Sequence, residues 1–499
     1  MFSAPKQSAG DIYNRVADMR LSAHDASFLY TETASGPMHM IGLTVLDGAA
    51  TFEEIFAYYA ARVHRVPRLR QRLAFVPFNV AHPKWIDDPD FDLGNHLVRH
   101  PVPPNTSVQR AIEIALELGE ALLDRNRPLW LTYVLEDLDG KTLLAQMSHH
   151  AFVDGATAVA MTTVLTDPSP DAPDPEPESS PWRPLPMPSP TELWQEAVAE
   201  NAQQTFAQAR RLVSEAPKMA ELAQKAAPLM QRMARPVMVA PWNASLIGPK
   251  RTIATLEYSL DDFRPIRKSL GGTVNDIVVS VVMEGAARYL QAKGEVLEDQ
   301  YLRLMCPVDV RDADDDPLDM SGNRVSAMFP VLAAGPMDML ERYQTVRDEL
   351  SEIKRNDEPR VMDQLQHLQP NNPPIAQSQT LSVGTEWDPT VAAARAPLPI
   401  LPHTGGPRPQ QLGFNFTCTN VPGANWTQYV AGHQVLTAIG TLMLGGNLGF
   451  GAGVASFDGR VTFVFTADPR LMPDVDHFAA HVREAFSELS DRAQVNPDN

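Results

Sequence analysis

Apolar residues fall in short blocks along this chain, and their spacing predicts a mixed α/β protein. Ile41–Leu46, Arg127–Leu135 and Leu143–Met147 read as strands, and Asp139-Gly140 between the last two predicts a hairpin. Phe52 to Val63 and Val108 to Leu123 have helical spacing, the second with apolar residues at Ile112, Ala115, Leu116, Leu118 and Leu122. Ser22 reads as the cap of a short helix running through Leu29. The second half predicts strands at Thr252–Tyr258, Leu302–Val310, Val325–Val331 and Phe414–Asn420, and a hairpin about Asp458-Gly459. It also predicts a long buried helix, Ile277–Ala292, rich in Val and Ala, and a closing helix, His477–Leu489.

Between the halves the pattern changes. Ten prolines mixed with acidic residues fall between Asp167 and Pro190, which predicts an extended crossover with no core of its own. Thr191 to Arg235 is Ala- and Gln-rich and helix-prone. From Asp363 to Gln411 the chain is Pro- and Gln-rich without clear periodicity. Neither half alternates strand and helix regularly, and no dinucleotide fingerprint or phosphate loop is present. The reading is an α/β (α+β sandwich) fold in tandem: a first unit at 1–166, a linker and helical crossover at 167–250, and a second unit at 251–499.

The 499 residues exceed one ordinary core, which agrees with two units. A formal net charge of -19 argues against nucleic acid as a partner and means that any anionic ligand needs a local basic patch. The two cysteines, Cys306 and Cys418, are expected to be buried thiols in a reducing compartment. The N-terminus lacks the apolar core of a signal peptide, and the apolar run from Thr441 to Phe457 is broken by five glycines. A cytoplasmic protein with peripheral membrane contact is expected, and the basic residues between Arg210 and Arg235 are one place where anionic lipid would be met.

The chemistry concentrates where the strand through Leu143–Met147 ends, at Ser148-His149-His150-Ala151-Phe152-Val153-Asp154-Gly155, ahead of a helix. Imidazole suits a general base that must be neutral near pH 7. Adjacent residues of a regular strand point to opposite faces, so one of His149 and His150 is expected to serve the site and the other to be structural. Asp154 reads as a loop anchor that caps the helix or holds a cation, with Arg311 its candidate partner. A metal site is disfavoured, because adjacent histidines rarely chelate one ion from a strand. No Gly-x-Ser-x-Gly elbow is present, which disfavours a covalent serine mechanism.

His149 to Gly155 resembles the HHxxxDG motif of the bacterial bifunctional wax ester synthase/acyl-CoA:diacylglycerol acyltransferase family, shared with the wider chloramphenicol acetyltransferase-like superfamily. Pro128-Leu129-Trp130 is similar to the family's PLW motif and Asn275-Asp276 to its ND motif. Leu21–Leu29, Trp85–Asp92, Gly322–Ser326 and Thr419–Gly423 are similar to further family segments. Ala424, the glycines from Asn447 to Gly451 and the polar 363–411 region depart from the pattern.

The resemblance implies two chloramphenicol acetyltransferase-like subdomains with a tunnel at their interface. It implies a long-chain O-acyltransferase that moves an acyl group from acyl-CoA, as co-substrate, to a fatty alcohol or diacylglycerol. No bound cofactor or metal is expected. His150 is then the base and His149 its neighbour. Asp154 holds the loop through Arg311, and Gly155 permits the turn. Asn275 and Asp276 are supporting residues, and Pro128, Leu129 and Trp130 contribute to substrate binding; a packed strand start accounts equally for Pro128-Leu129-Trp130, and a helix cap is the alternative for Asn275. The alternatives are a superfamily transferase for another hydroxyl or amine, and a non-catalytic lipid-binding protein on the same fold.

Overall fold

The computed structural model describes residues 19–178, 181–214, 216–311, 325–368 and 413–495. The first half carries α1 (Ala23–Thr31), β1 (His39–Asp47), α2 (Phe52–Ala60), β2 (Gln71–Ala74), β3 (Lys84–Asp87), β4 (Leu97–Arg99), α3 (Val108–Leu118), β5 (Trp130–Leu135), β6 (Lys141–His149) and α4 (Gly155–Leu165). The crossover is α5 (Pro190–Ser214) and α6 (Ala216–Ala234). The second half comprises β7 (Thr252–Ser259), α7 (Phe263–Leu270), α8 (Val274–Ala292), β8 (Tyr301–Asp309), β9 (Val325–Met328), β10 (Val331–Ala333), α9 (Met339–Arg355) and α10 (Glu358–Leu368). It continues with β11 (Phe416–Pro422), β12 (Tyr429–Val430), β13 (His433–Gly440), β14 (Phe450–Phe457), β15 (Arg460–Ala467) and α11 (Val475–Val495).

Two sheets result. The first has the order β12-β13-β1-β6-β5-β4, and the second the order β10-β8-β11-β14-β15-β7 with β9 beside β8. Strand β6 lies inside the first sheet and is buried on both faces. Leu143, Ala145 and Met147 pack with Ala111, Ala115 and Leu116 of α3, while Leu144 packs with Leu129, Trp130 and Phe152. Burial on both sides explains why this strand reads as a continuous apolar run and not as an alternation. The hairpin from β5 to β6 turns at Asp139 and Gly140, both with positive φ, as the Asp-Gly pair predicts.

The β12–β13 ribbon belongs by sequence to the second half, yet β13 pairs antiparallel with β1. The division at 250/251 therefore separates the chain but not the sheets. In the second half α8 is buried almost all round, between the sheet and helices α9 and α11. Gly285 makes its close approach to α11 possible, since a Cβ there would meet Val482 Cγ2 at 2.4 Å. The expected strand Val325–Val331 is two strands, broken at Pro330, whose carbonyl accepts from Leu304 N. Helix α3 ends at Gly119, short of the expected Leu123. Residues 369–411 and Gly322–Arg324 lie outside the described residues.

The Pro-rich crossover has no core of its own but is fastened to the first half by its acidic residues. Arg62 binds Asp167 at 2.8 Å and Asp174 at 3.0 Å, and Arg70 binds Glu178 at 2.7 Å. Helix α5 then buries Leu193 and Ala197 and pairs Glu196 with Lys84. Among the described residues no single helix is long and apolar enough to cross a membrane. Cys306 and Cys418 are free, buried thiols on the neighbouring strands β8 and β11.

Candidate active site

The site forms where β6 stops. His149 is the last strand residue and pairs with His39 of β1, while its N–H donates to Leu129 O. The chain then turns. His150 N donates to Met38 O at 2.8 Å, and Phe152 N donates to His149 O. The end of regular pairing separates the two histidines. His149 is fully buried, and His150 lies half-buried in the turn with its ring stacked on Phe28 of α1, centroids 4.2 Å apart.

Both nitrogens of His149 face structural partners. Its Nδ1 accepts from Ala151 N at 3.0 Å, which leaves the proton of a neutral ring on Nε2. Nε2 faces Glu32 Oε1 at 3.5 Å. Glu32 is buried, accepts from Met38 N, and pairs with Arg125 at 2.9 Å. Burial pulls the His150 imidazole down to about 4, and the adjacent His24 ring acts in the same direction while the Asp154 carboxylate opposes it. His150 is therefore neutral and able to accept a proton at pH 7.

Asp154 carries two loads. Its Oδ1 accepts from Thr157 N at 2.8 Å and caps α4, and its Oδ2 accepts from Arg311 Nη2 at 2.7 Å. Burial raises the Asp154 carboxyl, but the Thr157 N–H and the Arg311 guanidinium outweigh it and hold the group below its ordinary range. Arg311 follows β8, so this ion pair joins the two halves beside the motif. Gly155 plays a different part from the turn residue expected. It is the first residue of α4, it is not among the positive-φ glycines, and a Cβ there would make ordinary contact with Val421 Cγ2 of β11 at 3.5 Å.

The other named residues have structural partners of their own. Pro128, Leu129 and Trp130 are buried, Trp130 Nε1 donates to Leu69 O, and its indole stacks on His96. Trp130 pairs in register with Ser148, so this motif is the packed strand beside the histidines. Thr273, not Asn275, caps α8, in a reciprocal box with Asp276, whose side chain accepts from Thr273 N. Asp276 bonds with Thr273 and Ser280 and pairs with Lys354. Ala424 packs against the core of the first half. Among the described residues no group of three His, Cys, Asp or Glu side chains is placed to hold a metal ion. Sequence reasoning missed Glu32 and Arg125, which only long-range folding brings to His149; it named Phe28 within a segment without a role.

Burial also pulls the His39 and His82 rings down to about 4. Together with His150 they make three imidazoles that are harder to protonate folded than unfolded. The folded state then binds fewer protons below pH 6.5, so stability is full above 6.5 and is lost as pH falls toward 4. Up to three protons give a limiting slope of about 4 kcal/mol per pH unit. Guanidinium unfolding at pH 7.5, 6 and 5 is expected to show falling midpoints, and equal midpoints would contradict these environments.

Two mixed sheets, with the Asp of the His-His-x-x-x-Asp-Gly turn tied to an arginine of the second half, give the chain the arrangement that its family resemblance implies. The model of the wax ester synthase/diacylglycerol acyltransferase catalytic domain matches residues 21–278, and that of the family's C-terminal domain matches 321–490. The chain belongs to this family and is an O-acyltransferase. A putative diacylglycerol O-acyltransferase of Mycobacterium tuberculosis is 28% identical over 96% of this chain and 91% of its own length. A second, probable one from that organism is 26% identical over 94% and 95%. Among solved structures, the wax ester synthase/diacylglycerol acyltransferase from Marinobacter aquaeolei VT8 has a TM-score of 0.64 at 19% identity, covering 95% of this chain and all of that one. The starter condensation domain of rhizomide synthetase, in complex with C8-CoA and Leu-SNAC, has a TM-score of 0.57 at 15% identity, covering 98% and 97%.

Proposed function

We propose that this chain transfers a long-chain acyl group from acyl-CoA to the hydroxyl of a fatty alcohol or diacylglycerol, giving wax ester or triacylglycerol and free CoA. The observation that carries the mechanism is the contrast between the histidines. His149 is fully buried with its nitrogens turned to Ala151 N and Glu32, whereas His150 is half-buried, neutral and stacked on Phe28. His150 takes the acceptor's hydroxyl proton as that oxygen attacks the thioester carbon. The tetrahedral intermediate collapses, the carbon–sulfur bond breaks, and the proton passes from His150 to the departing CoA sulfur. Asp154 and Arg311 hold the turn and do not exchange protons.

The enzyme works at the surface of a cytoplasmic membrane or lipid droplet. Exposed Leu185, Met187, Trp194, Val198 and Phe206 on and before α5 support this contact. The basic residues further on do less than expected. Arg232 is buried among Glu349, Glu352 and Glu358, and Lys225 pairs with Glu221. CoA release from palmitoyl-CoA is expected with hexadecanol or a diacylglycerol. Turnover only with another hydroxyl or amine would replace the acceptor assignment, and no turnover with any acceptor would favour a lipid-binding protein.

A further inference from the structure

One cation in the seam between the halves lacks a counterion. Arg251, just before β7, donates through Nη1 to Gly248 O at 2.6 Å and Lys250 O at 2.9 Å. Its Nη2 donates to Ser35 O of the first half at 3.1 Å and to Leu444 O of the second at 3.5 Å. All its partners are carbonyl oxygens, and no carboxylate among the described residues lies within ion-pair distance. Carbonyl dipoles satisfy the N–H groups without neutralising the charge. Burial pulls this guanidinium down to about 10, against the more distant pull of Asp468 and Glu120. A desolvated cation in this condition favours an anion beside it.

Two more cations stand next to it. The Lys250 ammonium is exposed and makes no hydrogen bond or ion pair with a described residue. Arg470 lies over Gly248, where a Cβ would meet its Nε at 2.7 Å, and its largely exposed side chain binds Asp468 at 3.0 Å. Lys250, Arg251 and Arg470 against Asp468 and Glu120 leave a local excess of one positive charge, in a chain whose net charge is -19. An anionic substrate of this protein needs such an exception.

The patch is also close to the catalytic turn. The loop whose Ser35 carbonyl binds Arg251 continues to Met38, whose carbonyl accepts from His150 N. Gly445, next to Leu444, meets the same residue, since a Cβ there would lie 2.8 Å from Met38 Cε. The Arg251 charge is felt at His39, the register partner of His149.

We propose that Lys250, Arg251 and Arg470 bind the phosphates of the acyl-CoA donor, at the end of the seam opposite its reacting thioester; this rests on the acyl-CoA reading above. Phosphate groups match the patch in charge: exposed Lys250 supplies ammonium donors, and Arg251 supplies a charge that its carbonyl partners leave unneutralised. The pantetheine arm then runs along the Ser35–Met38 loop toward His150.

The test compares palmitoyl-CoA with S-palmitoyl pantetheine, which carries the same thioester without phosphates, with hexadecanol as acceptor and the full chain as enzyme. Lys250→Ala is expected to raise KM for palmitoyl-CoA about 3- to 10-fold with kcat within twofold. Lys250→Ala/Arg251→Gln is expected to raise it further, and KM for the pantetheine thioester is expected to stay unchanged in both. An equal rise for both thioesters, or no change for either, overturns the proposal. Because Arg251 also bridges the halves, exposed Lys250 keeps the test valid if the double variant does not fold. Unchanged KM values together with weaker binding to phosphatidylglycerol vesicles would assign the patch to a lipid headgroup and also overturn it. If the wild type turns over neither thioester, the acyltransferase reading fails, and calorimetry with CoA alone then decides the patch: binding weakened by Lys250→Ala upholds it, and unweakened binding removes it.

Discussion

His150→Ala is expected to lower kcat/KM for palmitoyl-CoA with hexadecanol by roughly 10²- to 10⁴-fold, the range for losing a positioned general base. The fold is expected to survive. The turn is held by backbone bonds, His150 N to Met38 O and Phe152 N to His149 O, which alanine keeps. The residue lost is half-buried, and its main ring contact is Phe28. Wild type carries a second signature. With the free imidazole pulled down to about 4, kcat/KM is expected to hold as pH falls through 6.5 and to decline only toward 4. Steady-state CoA release across pH measures both. A variant as fast as wild type would remove His150 as the base, and an acid limb near 6.5 would contradict the environment described for its ring.

The second large effect belongs to the ion pair across the seam. Arg311→Ala leaves the Asp154 carboxylate, 1% exposed, without its cation. Breaking a buried pair from one side costs about 3–5 kcal/mol. Asp154→Ala also removes the cap of α4, adding about 1 kcal/mol. Because the two side chains share one interaction, Asp154→Ala/Arg311→Ala is expected to cost clearly less than the sum of the single variants. Urea unfolding of the four proteins closes the cycle. Additive losses, or a loss under 1 kcal/mol for Arg311→Ala, would show that the pair does not hold the seam.

Much of this architecture is legible in the sequence where the physics is local. Asp139-Gly140 and Asp458-Gly459 announce their hairpins because the turns use positive φ. The Ser22 cap and the buried run of α8 are equally direct, the first a single hydrogen bond from Asp25 N and the second a helix buried over most of its length. The motif at His149–Gly155 could be read as a site, and Arg311 could be named as the cation for Asp154. Other features depend on distant parts of the chain. The ribbon at Tyr429–Gly440 is half polar and gives no distinct strand signal, because its burial is decided by β1. Helix α3 stops at Gly119, whose carbonyl turns to the His39 ring. Glu32 carries no signal by itself, and its importance comes from His149 and Arg125, both far along the chain.

The ribbon that crosses between the halves has a consequence for synthesis. Strand β1 exposes one hydrogen-bonding edge until β13 arrives, and β13 ends at Gly440. At ordinary translation rates the interval between completing β6 and completing β13 is roughly 15 to 60 s. During that time the nascent first sheet presents an open strand beside His149 and His150. The active-site end of β6 thus matures only when nearly the whole chain has left the ribosome, and a ribosome stalled before residue 433 holds a first half with an unfinished sheet.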